Sequence, residues 1–161
     1  MIRRLTADDA DELAALLLAN RAYLAPFGPT HDERFYTVER QLERLEREDK
    51  DGFAILDDGR IAGTVSLSNI VRGPLQSANL GYWVAERVTG RGLATGAVGE
   101  VIDVAFGELG LHRLEAGTLL DNLASQRVLA KNGFEPIGIA RGYLHIGGEW
   151  RDHMLFQLLA D

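Results

Sequence analysis

The residues best suited to chemistry are Arg87-Val88-Thr89-Gly90-Arg91-Gly92-Leu93-Ala94, between a strand-like and a helix-like segment. Glycines at i and i+2 let the backbone turn sharply and leave N–H groups uncovered. At a helix N-terminus those N–H groups and the helix dipole favour an anion. Arg87 and Arg91 bring positive charge to the same place, and Thr95-Gly96 carries the turn into the helix. Such a turn can hold a pyrophosphate. A tight strand-to-helix turn without a ligand would use the same glycines, so the motif needs its context. A P-loop is excluded, because no Gly-Lys-Ser/Thr ending follows. A dinucleotide fingerprint is nearly met by Gly90, Gly92 and Thr95-Gly96, with Glu115 placed for a ribose hydroxyl. However, helices dominate the start of the chain, and only 66 residues follow Thr95. Two mononucleotide-binding halves do not fit around that turn.

The second group is Asn122-x-x-Ser125-x-x-Val128-Leu129-x-x-x-Gly133-Phe134, some thirty residues further on. Asn122 opens a helix, where its side chain can cap the first turn. Ser125 lies on the same side of that turn. A structural role accounts for each residue taken alone. The sequence has no Cys, which excludes thiol nucleophiles, disulfides and thiolate metal sites. His31 and His153 lack the spacing of metal ligands, so no metal is expected.

Periodicity supplies the elements that must position these groups. Ile2–Leu5 reads as a strand, and Thr6-x-x-Asp9 starts a helix with Leu13, Ala14 and Leu17 inward. Thr30-His31-Asp32-Glu33 reads as the capping box of a second helix striped by Phe35, Val38, Leu42 and Leu45. Period-2 alternation then gives an antiparallel meander over 52–84, turning at Asp57-Asp58-Gly59-Arg60 and Gly73-Pro74. A long helix spans Leu93 to Leu109 and stops at Gly110. A strand near 112–118, a short helix to Gly133, and strands near 135–146 and 149–159 complete the chain. The order βααβββαβαββ predicts an α/β fold, a mixed sheet with helices on both faces. No repeat or linker divides residues 1–161, so one domain is expected.

The 161 residues are 46% hydrophobic, enough for a packed core and too much for a disordered chain. No apolar run approaches the ~20 residues that cross a bilayer, and no secretory signal pattern opens the chain. A cytoplasmic protein is expected. The formal net charge of −7 argues against general nucleic-acid or anionic-membrane binding. Residues 1–60 hold 14 acidic and 9 basic side chains, which is most of that surplus. Solvated helix faces explain it; an entrance favouring a cationic partner is the functional reading.

Arg87-x-x-Gly90-x-Gly92, preceded by Gly81-Tyr82-Trp83-Val84, resembles the acetyl-CoA pyrophosphate loop of the GNAT N-acetyltransferase superfamily. The Asn122–Phe134 spacing resembles the second signature of its RimJ/RimL-like branch, which acetylates ribosomal-protein N-termini. Asn20-Arg21-x-x-Leu24-x-Pro26, His112-Arg113-Leu114-Glu115-Ala116 and Gly148-Glu149-Trp150-Arg151-Asp152 extend the likeness over essentially the whole chain. The resemblance implies a mostly antiparallel sheet with one splayed parallel strand pair, ending near Val84 and around Thr118.

Acetyl-CoA would lie in that V as co-substrate. Its pantetheine arm would run along Trp83 and Val84, and its pyrophosphate would sit on Thr89, Gly90, Arg91, Gly92, Leu93, Ala94 and Thr95. Arg87 would stand beside it, Asn122 would hold the arm, and Ser125 would sit by the sulfur as acid. A backbone N–H near Val84 is the expected oxyanion donor. The base stays open among Glu115, Tyr143 and His145. An α-amine of pKa about 8 needs only a weak one, since roughly a tenth is already neutral at pH 7. The implied reaction is direct acetyl transfer to a primary amine, in the first place a protein N-terminal α-amine, with the protein a monomer or homodimer. A small amine (polyamine, amino acid or aminated antibiotic) and a non-catalytic acetyl-CoA- or nucleotide-binding module are the alternatives.

Overall fold

The computed structural model describes residues 1–161. Ile2–Arg4 forms β1, and Thr6 and Asp9 close a reciprocal capping box over the 3-10 turn Ala7–Asp9. Asp9 also takes both Nη groups of Arg3, at 2.9 and 2.8 Å. The turn leads into α1 (Ala10–Ala19), which buries the expected stripe Ala10, Leu13, Ala14 and Leu17. A single further turn, α2 (Arg21–Leu24), was not announced by spacing.

The second helix starts later than its Thr30 signature suggests. Asp32 caps only the 3-10 turn Glu33–Tyr36, accepting from Phe35 N at 3.2 Å. Thr37 is extended, and its hydroxyl accepts from Arg40 N at 3.2 Å to start α3 (Val38–Leu45). Two caps five residues apart split one expected helix into two pieces. Phe35 therefore leaves the helical stripe and stacks on His31, ring centroids 3.5 Å apart.

The meander forms as read, with β2 (Lys50–Asp57), β3 (Arg60–Val71) and β4 (Ser77–Val84). The helix expected to Leu109 is α4 (Leu93–Asp103) followed by a wider turn, Val104–Glu108, in which Leu109 N donates to Val104 O at 2.9 Å. Then come β5 (Arg113–Leu119), α5 (Leu123–Lys131), β6 (Glu135–Ile146) and β7 (Glu149–Leu159).

The seven strands make one sheet in the order β1-β2-β3-β4-β5-β7-β6. Only β4 and β5 run parallel, so the doubly wound dinucleotide-binding arrangement is excluded. Their pairing is short: Ser77 to Asn79 against Arg113 to Glu115, after which the strands diverge. The sheet opens as a V between Val84 and Leu119.

Strand alternation separates the two faces. Val65, Leu67, Leu80, Leu114 and Ala116 pack with Val98 and Val101 of α4 and Leu129 of α5. Leu114, Leu129, Val98 and Val101 are fully enclosed, each contributing about 1.5–3 kcal/mol. Thr64, Ser66 and Trp83 face the other way, toward Leu13 and Leu17 of α1 and Gln41 of α3. Helices therefore cover both faces.

Gly63 fixes how closely β3 approaches the end of β4. A Cβ there would lie 2.2 Å from the Trp83 carbonyl oxygen and 2.8 Å from Val84 Cα. Only glycine permits that approach.

Candidate active site

The end of β4 carries the site. Tyr82 points to the α4/α5 side, where its hydroxyl lies 2.6 Å from Ser125 Oγ and donates to Ser125 O at 3.1 Å. Trp83 points to the α1/α3 side. Ala85 N donates back to Ala62 O on β3 at 2.7 Å. By alternation, the Tyr82 and Val84 N–H groups face the opposite edge, into the V.

Beyond β4 the chain makes the 3-10 turn Glu86–Val88, pinned by Asn20 Oδ1, which accepts from Glu86 N at 3.0 Å. Thr89 Oγ1 donates to Glu86 O at 2.9 Å. Gly90 and Gly92 have φ of 73° and 80°, and a Cβ at either would meet nothing within 4 Å. The glycines are there for conformation and leave open space before the turn. Gly92 supplies no side-chain cap, so the first-turn N–H groups of α4 are left for an outside acceptor.

The two arginines are not free charges. Arg87 Nη1 lies 3.1 Å from Asp57 Oδ2, and Arg91 takes both carboxylate oxygens at 3.1 and 2.9 Å. Arg91 first, and then Arg87, holds the Asp57 carboxyl below the usual range. The trio keeps one net positive charge beside the glycine turn. The sequence reading took Asp57 as part of a hairpin turn only, and nothing local tied it to residues thirty positions away.

Across the V, Asn122 Oδ1 accepts from Ser125 N at 3.2 Å, so its cap role is real. Burial pushes the Tyr82 phenol up to about 12, so it stays protonated at neutral pH. The phenol has one hydrogen: while it goes to Ser125 O, the serine hydroxyl can donate to Tyr82, and only when it turns to Ser125 Oγ is the serine hydrogen free to point into the cleft. Tyr82 was missed in the sequence; strand alternation was the one available signal, placing it on the face opposite Trp83.

These groups line one cleft of about 240 Å³. Trp83, Val84, Thr89, Gly90, Ala94, Asn122 and Ser125 meet there, joined by Tyr23, Leu24, Phe27, Tyr82 and Ala124. Arg87, Arg91, Gly92, Leu93 and Thr95 stand behind them on the turn and first helical residues, outside that lining.

The three candidate bases lie elsewhere. Glu115 sits where β4 and β5 still pair, its carboxylate accepting from Arg113 at 3.0 and 2.8 Å. Tyr143 on β6 packs against His153, ring centroids 5.4 Å apart, and His145 packs edge-on to Trp150 at 5.3 Å.

A second chamber of about 310 Å³ adjoins the cleft and shares Leu24, Phe27, Tyr82 and Trp83 with it. Its charged side chains are Arg21 and Arg44, and no Asp or Glu lines it. The acidic surplus of residues 1–60 is therefore not at this entrance. His31 lines the chamber, with its pKa lowered by burial and then by Arg44, so its ring is neutral at pH 7.

A V-shaped gap between two parallel strands, closed at one end by an uncapped glycine turn, matches a known family. The family model described as "Acetyltransferase (GNAT) domain" fits residues 1–135. This chain belongs to the GNAT acetyltransferases. The GNAT is 42% identical to the Bacillus subtilis protein named "Probable N-acetyltransferase YjcK", over 98% of this chain and 92% of that one. It superposes on the ribosomal-protein-S5-alanine acetyltransferase of Vibrio fischeri with a TM-score of 0.94 at 34% identity, covering 99% of this chain and 92% of that one. Mycobacterium smegmatis RimJ in complex with CoA-disulfide gives 0.92 at 32% identity, over 99% and 81%. The GNAT is thus an N-acetyltransferase by family, with RimJ/RimL-like neighbours.

Proposed function

We propose that this GNAT transfers the acetyl group of acetyl-CoA directly to the α-amine of a protein N-terminus. The observation that carries the reading is the pair of connected spaces meeting at Tyr82 and Trp83, one under the glycine turn and one on the α1–α3 side. The names of the Vibrio fischeri and Mycobacterium smegmatis structures support the RimJ type of acceptor.

Acetyl-CoA supplies the thioester: the amine nitrogen bonds to its acetyl carbon, the C–S bond breaks, and CoA leaves as the thiol. The Gly90–Thr95 N–H groups and the Arg87–Asp57–Arg91 trio would hold the pyrophosphate. The Val84 N–H, facing into the V, would stabilise charge on the carbonyl oxygen. Ser125, fed by Tyr82, would return a proton to sulfur, and neutral His31 would take one from the incoming ammonium. No metal step is involved in this scheme.

A thiol-release assay with acetyl-CoA tests it against N-terminal peptides, polyamines, amino acids and aminated antibiotics. Turnover of a free-amine peptide, and its loss when that α-amine is blocked, is the expected result. Turnover of a polyamine alone would overturn the acceptor, and tight NAD binding without acetyl-CoA binding would overturn the co-substrate.

A further inference from the structure

Between α1, α3 and the start of β2 lies a cavity of about 110 Å³. It is separate from the acetyl-CoA cleft and adjoins the α1–α3 chamber through shared lining residues. Leu17, Arg44 and Trp83 line both, and Trp83 also borders the cleft. Trp83 is the one residue common to the cavity, the chamber and the cleft.

Its two cations combine partial burial with the lack of an ion-pair partner. Arg3, Arg4, Arg21, Arg34, Arg40 and Arg47 each have a carboxylate within salt-bridge distance. Arg44 and Lys50, both half-buried against the cavity, have none. Arg44 donates only to Gln41 Oε1, at 2.9 Å, and lies over the Phe35 ring at 4.8 Å. Gln41 is fully buried and donates to Phe35 O at 2.5 Å, which holds its oxygen toward Arg44. The Lys50 ammonium makes no side-chain hydrogen bond. The one carboxylate in the lining, Asp51, is taken by Arg4 at 3.0 Å.

Two half-buried cations without an ion-pair partner are costly in the folded chain. Burial first, and then Arg40 and Arg47, lowers Arg44, while burial, Arg44 and Arg47 bring Lys50 down to about 8. A protein gains nothing in stability from such an arrangement. An anion entering the cavity would offset part of that cost.

We infer that the Arg44–Lys50 cavity is the acceptor's anion subsite, taking a carboxylate carried on the same acceptor as the reacting amine. This rests on the reading that the α1–α3 chamber admits the acceptor. It makes the preferred acceptor acidic near its amine. Two sources share that chemistry: an Asp or Glu among the first residues of a protein N-terminus, or the α-carboxylate of a free amino acid.

Amidated peptides Ala-Xaa-Xaa-Xaa, with one Glu walked through positions 2 to 4, are compared with their Gln counterparts. Alanine is compared with alaninamide. At one position Glu should exceed Gln at least tenfold in kcat/KM, about 1.4 kcal/mol, through the acceptor KM. Preference for alanine over alaninamide, without a Glu effect, assigns the subsite to free amino acids. In Lys50→Gln and Arg44→Gln the Glu-to-Gln ratio should collapse toward one. If Arg44→Gln does not fold, Lys50→Gln decides alone, because the Lys50 side chain has no hydrogen bond to lose. Binding is read separately from activity. Trp150→Phe leaves Trp83 as the sole tryptophan, and its fluorescence should respond saturably to glutarate only while Lys50 is present. Peptide turnover with equal Glu and Gln rates, and no glutarate response, overturns the subsite and leaves the acetyltransferase reading intact. Saturable glutarate binding without turnover of any amine does the reverse.

Discussion

Ser125 and Tyr82 share one short contact, 2.6 Å between hydroxyls, and its use is separable by mutation. Ser125→Ala should lower kcat by about 10²-fold if it protonates the leaving thiolate, with little change in the KM for acetyl-CoA. Tyr82→Phe keeps the ring and removes the donor, so it should lower kcat less while costing about 1 kcal/mol in stability. Additive losses in the double variant would separate the two roles, whereas a loss no greater than that of Ser125→Ala alone shows one proton path. Lys50 gives a pH signature. Its folded pKa of about 8 lies below the unfolded value, so the penalty of a buried charge is fully present below pH 8 and disappears as pH rises toward 10.4. Lys50→Met should therefore raise Tm more at pH 7 than at pH 10, measured by calorimetry. Ser125 and Asn122 were legible because their spacing is local to one helix start. Tyr82, Asp57 and the Arg44–Lys50 pair were not, since each acts through a partner brought near only by the sheet or by α3.

Gly63 shows what an element contributes to catalysis at a distance from it. Gly63→Ala forces a Cβ against the Trp83 carbonyl, so β4 must shift where the cleft is built. Destabilisation of about 1–3 kcal/mol is expected, together with a raised KM for acetyl-CoA. A normal KM in that variant would mean that β4 tolerates the shift. Gly92→Ala, at φ of 80°, should cost about 1–2 kcal/mol by strain, and weaken acetyl-CoA binding if the turn holds the pyrophosphate. Strands were legible because alternation over 53–84 has a single reading. The 30–45 region was not, because Asp32 and Thr37 are both good caps and only packing decides which one starts the helix. The helix past Asp103 misled for a related reason: apolar spacing continued while the hydrogen bonds widened.

At the scale of the molecule, nine of the 24 carboxylates pair with cations, and the rest make up the surplus negative charge. Asp9, Glu43, Asp49 and Asp57 all lie below their ordinary values, held by Arg3, Arg40, Arg47 and Arg91 respectively. Their contribution is present above the unfolded carboxylate range and is lost as pH falls through the lowered values. Thermal stability should drop on acidification below about pH 4, and high salt should weaken the exposed Glu43 and Asp49 pairs more than the less exposed Asp9 and Asp57 carboxylates. The fold class and strand order could be read from the chain, but the sign of the charge at the acceptor chamber could not. Counting charges by sequence segment says nothing about which ones face a cavity.

The three-residue pairing of β4 with β5 makes the sheet two leaves stitched at Ser77–Asn79. Beyond that seam the Tyr82 and Val84 amides have no strand opposite them. A molecule lodged in the V would act as a rivet across the leaves. Those two amides should exchange hydrogen quickly in the free protein and slow markedly when CoA is added, so this protein would be at its stiffest while occupied.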